Sequence, residues 1–533
     1  MIDKMETADP KTSETIKNPN LDWKNHTEQD IETGTTVDTL LVTELVEPTS
    51  FISSKWKLYL VYCIVYLCAT MQGYDACLMS SLYTMDEYST YYKLEANSAA
   101  NASIVFAIYS IGQICASPFI PIMDWLGRRK VIWLGCGLVC IGALVTAVSR
   151  DFHTLIGGRW LLSFFTTLVC SAAPAYCVEM APSKIRGRMT GFYMTLFPLG
   201  AFTAAFVSYG TGKGFSGQSN AFKIPLWVQL VFPGIVFLTG WYIQESPRWL
   251  VGVGRENEAK AILSNYHFAS NTEDPRIDDE ILDMKNSFGG KRLSDPLTML
   301  DMRPLFSSRS QIYRFGLVVA IAMIGQCSGN NVMAFFLPTM LYESGIKSAS
   351  GRVLLNGVFY VVLWVASIIG SLLHDLTGRR KVFLFTTASL SIAMVGLAIC
   401  SSRYEATHSK GSSSASLFFI YAFGALFTGG INTMFPIYPA EVSSNILRSK
   451  STIVFNVMAP LFQLANQFGA PKALEKISYW FYVFFAFFDL FEFAIVYFFF
   501  VETKGRTLEE LDIIFDSKNP RKASTDQNFE KLR

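Results

Sequence analysis

Two residues of this 533-residue chain carry charge where charge is expensive. Asp75 follows Gly73 and Tyr74 inside an apolar stretch, 57–82, and Arg159 lies early in another, 153–178. At a helical rise of about 1.5 Å per residue, Arg159 sits about 10 Å into its segment, and Asp75 lies at a matching depth. Burial makes a carboxylate prefer its proton, while a neighbouring guanidinium opposes that preference. A carboxylate whose arginine moves away takes up a proton, so such a pair can couple proton binding to a change of shape. A fixed structural ion pair is the alternative.

A second set of side chains is polar but uncharged. Gln326, Asn330, Asn331, Phe335 and Phe336 fall in the apolar stretch 313–340, with Gln326 and Asn330 spaced i,i+4 on one helical face. Asn356 lies in 353–374, Asn432 in 416–439, and Asn456 and Asn466 in 450–470. Amides that donate and accept, set beside aromatic faces, suit a hydroxyl-rich uncharged molecule such as a sugar. Hydrogen bonding between helices is the other use of such amides. Asp489 and Glu492, i,i+3 in 479–501, stand as a second proton site or as a packing contact with a neighbouring helix. Asn101 opens a glycosylation sequon that abuts the stretch 100–123 and is expected to stay unmodified.

Other chemistries lack their parts. No phosphate-binding glycine loop, metal-ligand cluster or Ser/His/Asp arrangement is present, so no enzyme activity, metal or cofactor is expected beyond a proton as coupling ion. A net charge of +2 gives no basis for nucleic-acid binding. The ten cysteines lie in apolar stretches and read as buried thiols.

The elements that must position these residues are membrane spans. Only 17% of residues are charged and 51% are hydrophobic, where soluble domains carry about 25% charge. Twelve stretches approach the roughly 20 apolar residues that cross a bilayer: 57–82, 100–123, 130–149, 153–178, 189–210, 224–243, 313–340, 353–374, 381–401, 416–439, 450–470 and 479–501. The expected protein is an all-α membrane protein of twelve transmembrane helices in two six-helix bundles, 55–243 and 313–501. A cytosolic loop with short helices, 244–312, joins them. Residues 1–54 read as a disordered cytosolic tail without a cleavable signal sequence, and 502–533 as a second cytosolic tail. Basic clusters at 128–130, 184–188, 379–381 and 448–450 place their side in the cytosol.

Those clusters belong to a repeat. DWLGRRK (124–130) returns as DLTGRRK (375–381), EMAPSKIRGR (179–188) as EVSSNILRSK (441–450), and QESPR (244–248) as VETKGR (501–506). A six-helix unit is therefore duplicated in parallel. Asp124, Glu179 and Glu245 can pair with Arg128, Arg129, Arg186 and Arg248, and Asp375, Glu441 and Glu502 with Arg379, Arg380 and Arg448. The pairs are expected to latch one conformation and to release when the halves rock. Topogenic charge at the membrane edge is the simpler alternative.

With these residues in view, the chain resembles the sugar porter family of the major facilitator superfamily over about 57–512. The resemblance rests on GYD (73–75), the two GRR turns, GR (158–159), ESPR (245–248), Q-x-SG-x-N (326–331) and ETKGRTLEE (502–510). Within the family, QCSGNN, FFLPTML, YPAE and NQFGAPKAL look like the fungal lactose and glucoside permeases. The resemblance implies sugar:proton symport by alternating access, with Asp75 and Arg159 as coupling pair and substrate contacts from the amides and rings named above. A facilitative uniporter and a non-transporting sensor share the same fold. It further implies a monomer in the plasma membrane. Departures are visible: Met194 stands where an amide is usual, Gly325 replaces a glutamine and is expected to widen the pocket, Phe335 and Phe336 replace tyrosines, and a tryptophan near Pro436 is missing.

Overall fold

In a bilayer core no water serves the backbone, so each spanning segment must satisfy its own amides as a helix. The computed structural model describes residues 49–94, 98–182, 186–268, 274–287, 301–343, 345–435, 437–444, 447–477, 479–504, 506 and 508–525, and every element among them is helical. The tails 1–48 and 526–533 lie outside the described residues, as do the side chains of Asn101, Lys184, Arg186, Phe335, Phe336 and Asp375.

Among the described residues, nine helices are long and apolar enough to cross a membrane. They are α3 (Arg128–Val148), α4 (Phe152–Met180), α5 (Met189–Gly214), α6 (Asn220–Thr239), α7 (Arg309–Met333), α8 (Ala349–His374), α9 (Arg379–Thr407), α10 (Lys410–Val442) and α12 (Trp480–Phe499). The remaining expected spans fall on α1 (Thr49–Leu82), α2 (Ser98–Ala116) and α11 (Arg448–Ile477). The expectation of an all-α, twelve-span protein in two six-helix bundles holds. Large apolar side chains such as Leu238, Phe385, Ile392 and Phe487 point outward, the inverse of a soluble surface.

Local sequence sets the helix starts. Asp151, Ser308, Ser348 and Ser409 each accept a backbone N–H of the first turn of α4, α7, α8 and α10. Gly127 and Gly378 precede α3 and α9 with φ of +96° and +103°, a region that disfavours any side chain. Two helices are interrupted. α7 breaks at Ser328 and Gly329 and resumes as Asn330–Glu343, and α10 passes through a π-turn at Thr428–Asn432. Outside the bilayer, Pro247–Val253, Glu256–His267 and Pro275–Ser287 pack around Trp249, Leu250, Leu263 and Ile277. The bundles meet along α2 against α11 and α5 against α8.

Candidate functional site

A cavity of about 280 Å³ lies on this seam. Its described wall takes Gln72 from α1, Gln113 from α2, and Tyr193, Met194 and Phe197 from α5. The other bundle supplies Gln326, Asn330 and Asn331 at the break of α7, Asn432 and Phe435 from α10, and Asn456 and Gln463 from α11. Eight of the described wall residues are Asn or Gln, and none is Lys, Arg, His, Asp or Glu. Gln72, Gln113 and Gln463 were not among the sequence candidates. Their signal was one amide amid apolar neighbours, the pattern that marked Asn432.

The break in α7 is held from within. The Asn331 side chain donates to the Gln326 backbone carbonyl and to its Oε1, both at 2.8 Å. Asn466 of α11 donates to the same carbonyl at 2.6 Å. The carbonyls that the missing helical turn leaves open are therefore served by amides, which leaves Gln326 and Asn330 facing the cavity. Asn466 itself does not line the described wall. Neither does Asn356, which is fully buried and donates to Ser81 Oγ at 3.2 Å across the seam from α8 to α1. Both amides serve helix packing in this structure, the alternative use of a buried amide.

Gly325 leads to a correction. Its hydrogen does not widen the cavity, because the Phe435 ring occupies the place a Cβ would take. That ring packs edge-on against Phe455 at 4.7 Å between centroids. The space released by the small residue is filled by an aromatic wall.

Asp75 and Arg159 are both fully buried in the first bundle. No ion pair within 4.0 Å joins them among the described residues. Instead, Gln229 Nε2 donates to Asp75 Oδ1 at 2.6 Å and Thr166 Oγ1 to Oδ2 at 3.4 Å. Arg159 donates to the Val105 carbonyl at 3.3 Å and lies 5.6 Å from the centre of the Tyr109 ring, which lines the cavity. Gln229, which the sequence reading missed, stands between two short helical segments of α6 in an otherwise apolar run.

The repeated motifs form two matching clusters, each inside one bundle. Arg128 pairs with Asp124 at 2.8 Å and Glu179 at 3.0 Å, and Arg379 pairs with Glu441 at 3.1 Å. Glu245 accepts the Arg129 N–H at 3.1 Å, and Glu502 accepts those of Arg379 and Arg380 at 2.9 and 3.1 Å. Ser246 donates to Glu179 and Thr503 to Glu441, each at 2.5 Å. Arg129 reaches the Trp241 carbonyl, and Arg380 the Tyr497 carbonyl. Burial pushes the Asp124 carboxyl up from its ordinary value against the pull of Arg128, and pushes Glu245 up against the amides of Arg129 and Ser246. Arg448 donates to the Ala440 carbonyl at 3.1 Å and lies within electrostatic reach of Arg248 and Glu441. These carboxylate contacts tie helix ends within a bundle.

Two six-helix bundles around an uncharged polar cavity define a carrier of small solutes through a membrane. The chain belongs to the family of sugar (and other) transporters, which it matches over residues 61–515. It is similar to the quinate permease of Neurospora terricola, with 26% identity over 90% of this chain and 92% of that protein. It is also similar to the MFS-type transporter oryC of Aspergillus oryzae, with 28% identity over 87% and 86%. Among solved structures, the proton:xylose symporter XylE bound to 6-bromo-6-deoxy-D-glucose superposes with a TM-score of 0.70 at 18% identity. The match covers 87% of this chain and 99% of that one. The protein is thus an integral membrane transporter of the sugar porter family and not an enzyme.

Proposed function

We propose that this protein carries a neutral, polyhydroxylated solute of single-ring size together with a proton. The observation that supports this most is the cavity wall: eight amides, several aromatic rings and no ionisable carboxylate or cation among its described residues. Amides match hydroxyls, which both donate and accept. A volume of about 280 Å³ lies just below the roughly 300–1,000 Å³ common for small-molecule sites, which favours one sugar ring over a disaccharide. Quinate, the solute named for one relative, carries a carboxylate. A wall without a described cation favours an uncharged sugar instead.

Asp75 is the proton carrier in this reading. It is buried, hydrogen-bonded by neutral groups, and close enough to Arg159 to feel its charge without being tied to it. Gln229 stabilises the carboxylate as donor and, after its amide turns, accepts from the protonated form. Motion of one bundle against the other changes the access of water to Asp75, and so loads or unloads the proton. The basic motif clusters favour a cytosolic position for both termini. A monomer in the plasma membrane completes the proposal.

The test is uptake of labelled glucose, xylose, lactose, cellobiose and quinate in a transport-null cell, with and without a protonophore. Accumulation of a monosaccharide that collapses with the protonophore is expected. Uptake of quinate alone, or accumulation indifferent to the protonophore, overturns the proposal.

A further inference from the structure

The carboxyl-terminal bundle buries two acids that neither line the cavity nor join the motif clusters. Asp489 and Glu492 stand three residues apart on one face of α12, and neither has any exposed surface. None of their four oxygens has a hydrogen-bond partner among the described residues. Two ionised carboxylates at this depth would form an uncompensated double negative charge, which a low-dielectric surrounding does not tolerate. Something must neutralise them, and a hard cation would ask for six or more oxygen ligands. Among the described residues, no third His, Cys, Asp or Glu joins the pair in a group that could hold a metal ion.

The surroundings say what the neutralising ligand is coupled to. From α7, the Cys327 thiol lies within electrostatic reach of Glu492 and beside the side chain of Asn466. Asn466 also donates to the Gln326 carbonyl at 2.6 Å, and Gln326 lines the cavity. Ser328, beside Cys327 at the break, has a fully buried hydroxyl without a partner. From α9, Ser391 donates to the Ala486 carbonyl of α12, one turn from Asp489. Among the described side chains, the charged residues of α9 and α11 are Arg379, Arg380, Lys381, Arg403 and Glu405 on one and Arg448, Lys450 and Lys476 on the other, all toward the helix ends. Cys327 is thus a titratable neighbour on the interrupted helix whose Gln326 lines the cavity.

We propose that Asp489 and Glu492 form a second proton-binding site, separate from Asp75 and coupled to the solute through the Cys327–Asn466–Gln326 contact. Each proton adds to a carboxylate oxygen and returns to water when movement of the α7 break opens a path. The coupling rests on the cavity being the solute site; the protonation itself does not.

Infrared difference spectroscopy of the full chain in lipid separates the two. Protonated-carboxyl stretch bands that survive Asp75→Asn, vanish in Asp489→Asn/Glu492→Gln and change on pH titration are expected, with no solute present. In proteoliposomes the double variant should retain counterflow, while the reversal potential shows fewer protons per solute. Should the double variant not fold, Glu492→Gln alone provides the same comparison. Bands that stay constant over the whole pH range of the folded protein overturn the proposal, because the pair is then permanently neutral. An unchanged proton count in a folded variant overturns it as well. Failure to find a transported sugar leaves the spectral test intact.

Discussion

Gly325 and Phe435 offer a sharp test of how the cavity is bounded. A Cβ at position 325 would overlap the Phe435 ring, while that ring is held on its other side by Phe455. Gly325→Ala must therefore push a packed aromatic aside, an overpacking cost of about 1–3 kcal/mol. Phe435→Ala removes the obstacle and leaves a hole. Because one face of the ring already borders the cavity, the loss should fall near the lower end of the ~3–5 kcal/mol typical of Phe→Ala. If the two residues act only on each other, alanine at 325 costs nothing once the ring is gone. The double variant should match Phe435→Ala alone, with a coupling energy equal to the single Gly325→Ala penalty of about 1–3 kcal/mol.

Thermal unfolding in detergent measures the stability side of this cycle. Competition of unlabelled cellobiose against labelled glucose measures the function side. Contact of roughly 50 Å² between a sugar and the ring is worth about 1.3 kcal/mol, or near tenfold in affinity. Phe435→Ala should therefore weaken glucose and admit the disaccharide as a competitor. Strictly additive penalties, or a competitor profile unchanged by Phe435→Ala, refute the idea that this ring is the wall replacing the side chain at 325.

Further outcomes follow from the same geometry. Gln326→Ala removes one hydroxyl partner, and apparent affinity for the transported sugar should fall about fivefold to tenfold, read from uptake kinetics at matched expression. Asp75→Asn keeps a neutral hydrogen-bonding group at the site, so counterflow exchange should persist while uphill accumulation is lost. Retained accumulation removes Asp75 from coupling. Gly127→Ala and Gly378→Ala each force a side chain into a left-handed region facing Glu245 or Glu502, and each should destabilise by about 1–3 kcal/mol in the same thermal assay. Two unequal effects would show that the matching turns do not carry matching strain.

What was legible in the sequence was mostly what hydrocarbon imposes. Apolar length marks a span, and a doubled motif marks a doubled bundle, because both follow from one-dimensional spacing. Gln326, Asn330, Asn331 and Asn432 were legible as cavity residues, since an amide in such a span needs a polar neighbour. The partner of each amide was not legible. Asn356 and Asn466 have the same chemistry as Asn432, yet they spend it on Ser81 and on the Gln326 carbonyl. Gln229 escaped for the same reason: its approach to Asp75 depends on how α6 crosses α1, which no local pattern records. The reading of Gly325 as added space failed because a glycine reports only its own missing atoms, and the neighbour that fills the gap, Phe435, lies far along the chain.

The motif clusters change what the duplicated charges do. Read along the chain, carboxylates and arginines at helix ends suggest a clasp between the halves. In the structure, Glu245 and Glu502 accept the first N–H groups of α3 and α9, the positive ends of those helices. Glu179 and Glu441 are shared between an arginine and a hydroxyl of the same bundle. Each cluster thus fastens three helix ends of one bundle into a rigid corner. Rocking transport needs such corners, because a bundle that flexed internally would lose the alignment of its cavity amides before the seam opened. Across the seam, Ser110 of α2 donates to the Gln467 side chain of α11, and Ser117, just past the end of α2, donates to the Asn456 carbonyl, both at 2.8 Å. Neutral hydrogen bonds of this kind are individually weaker than the charge-assisted bonds inside each cluster, so they yield first when the bundles move.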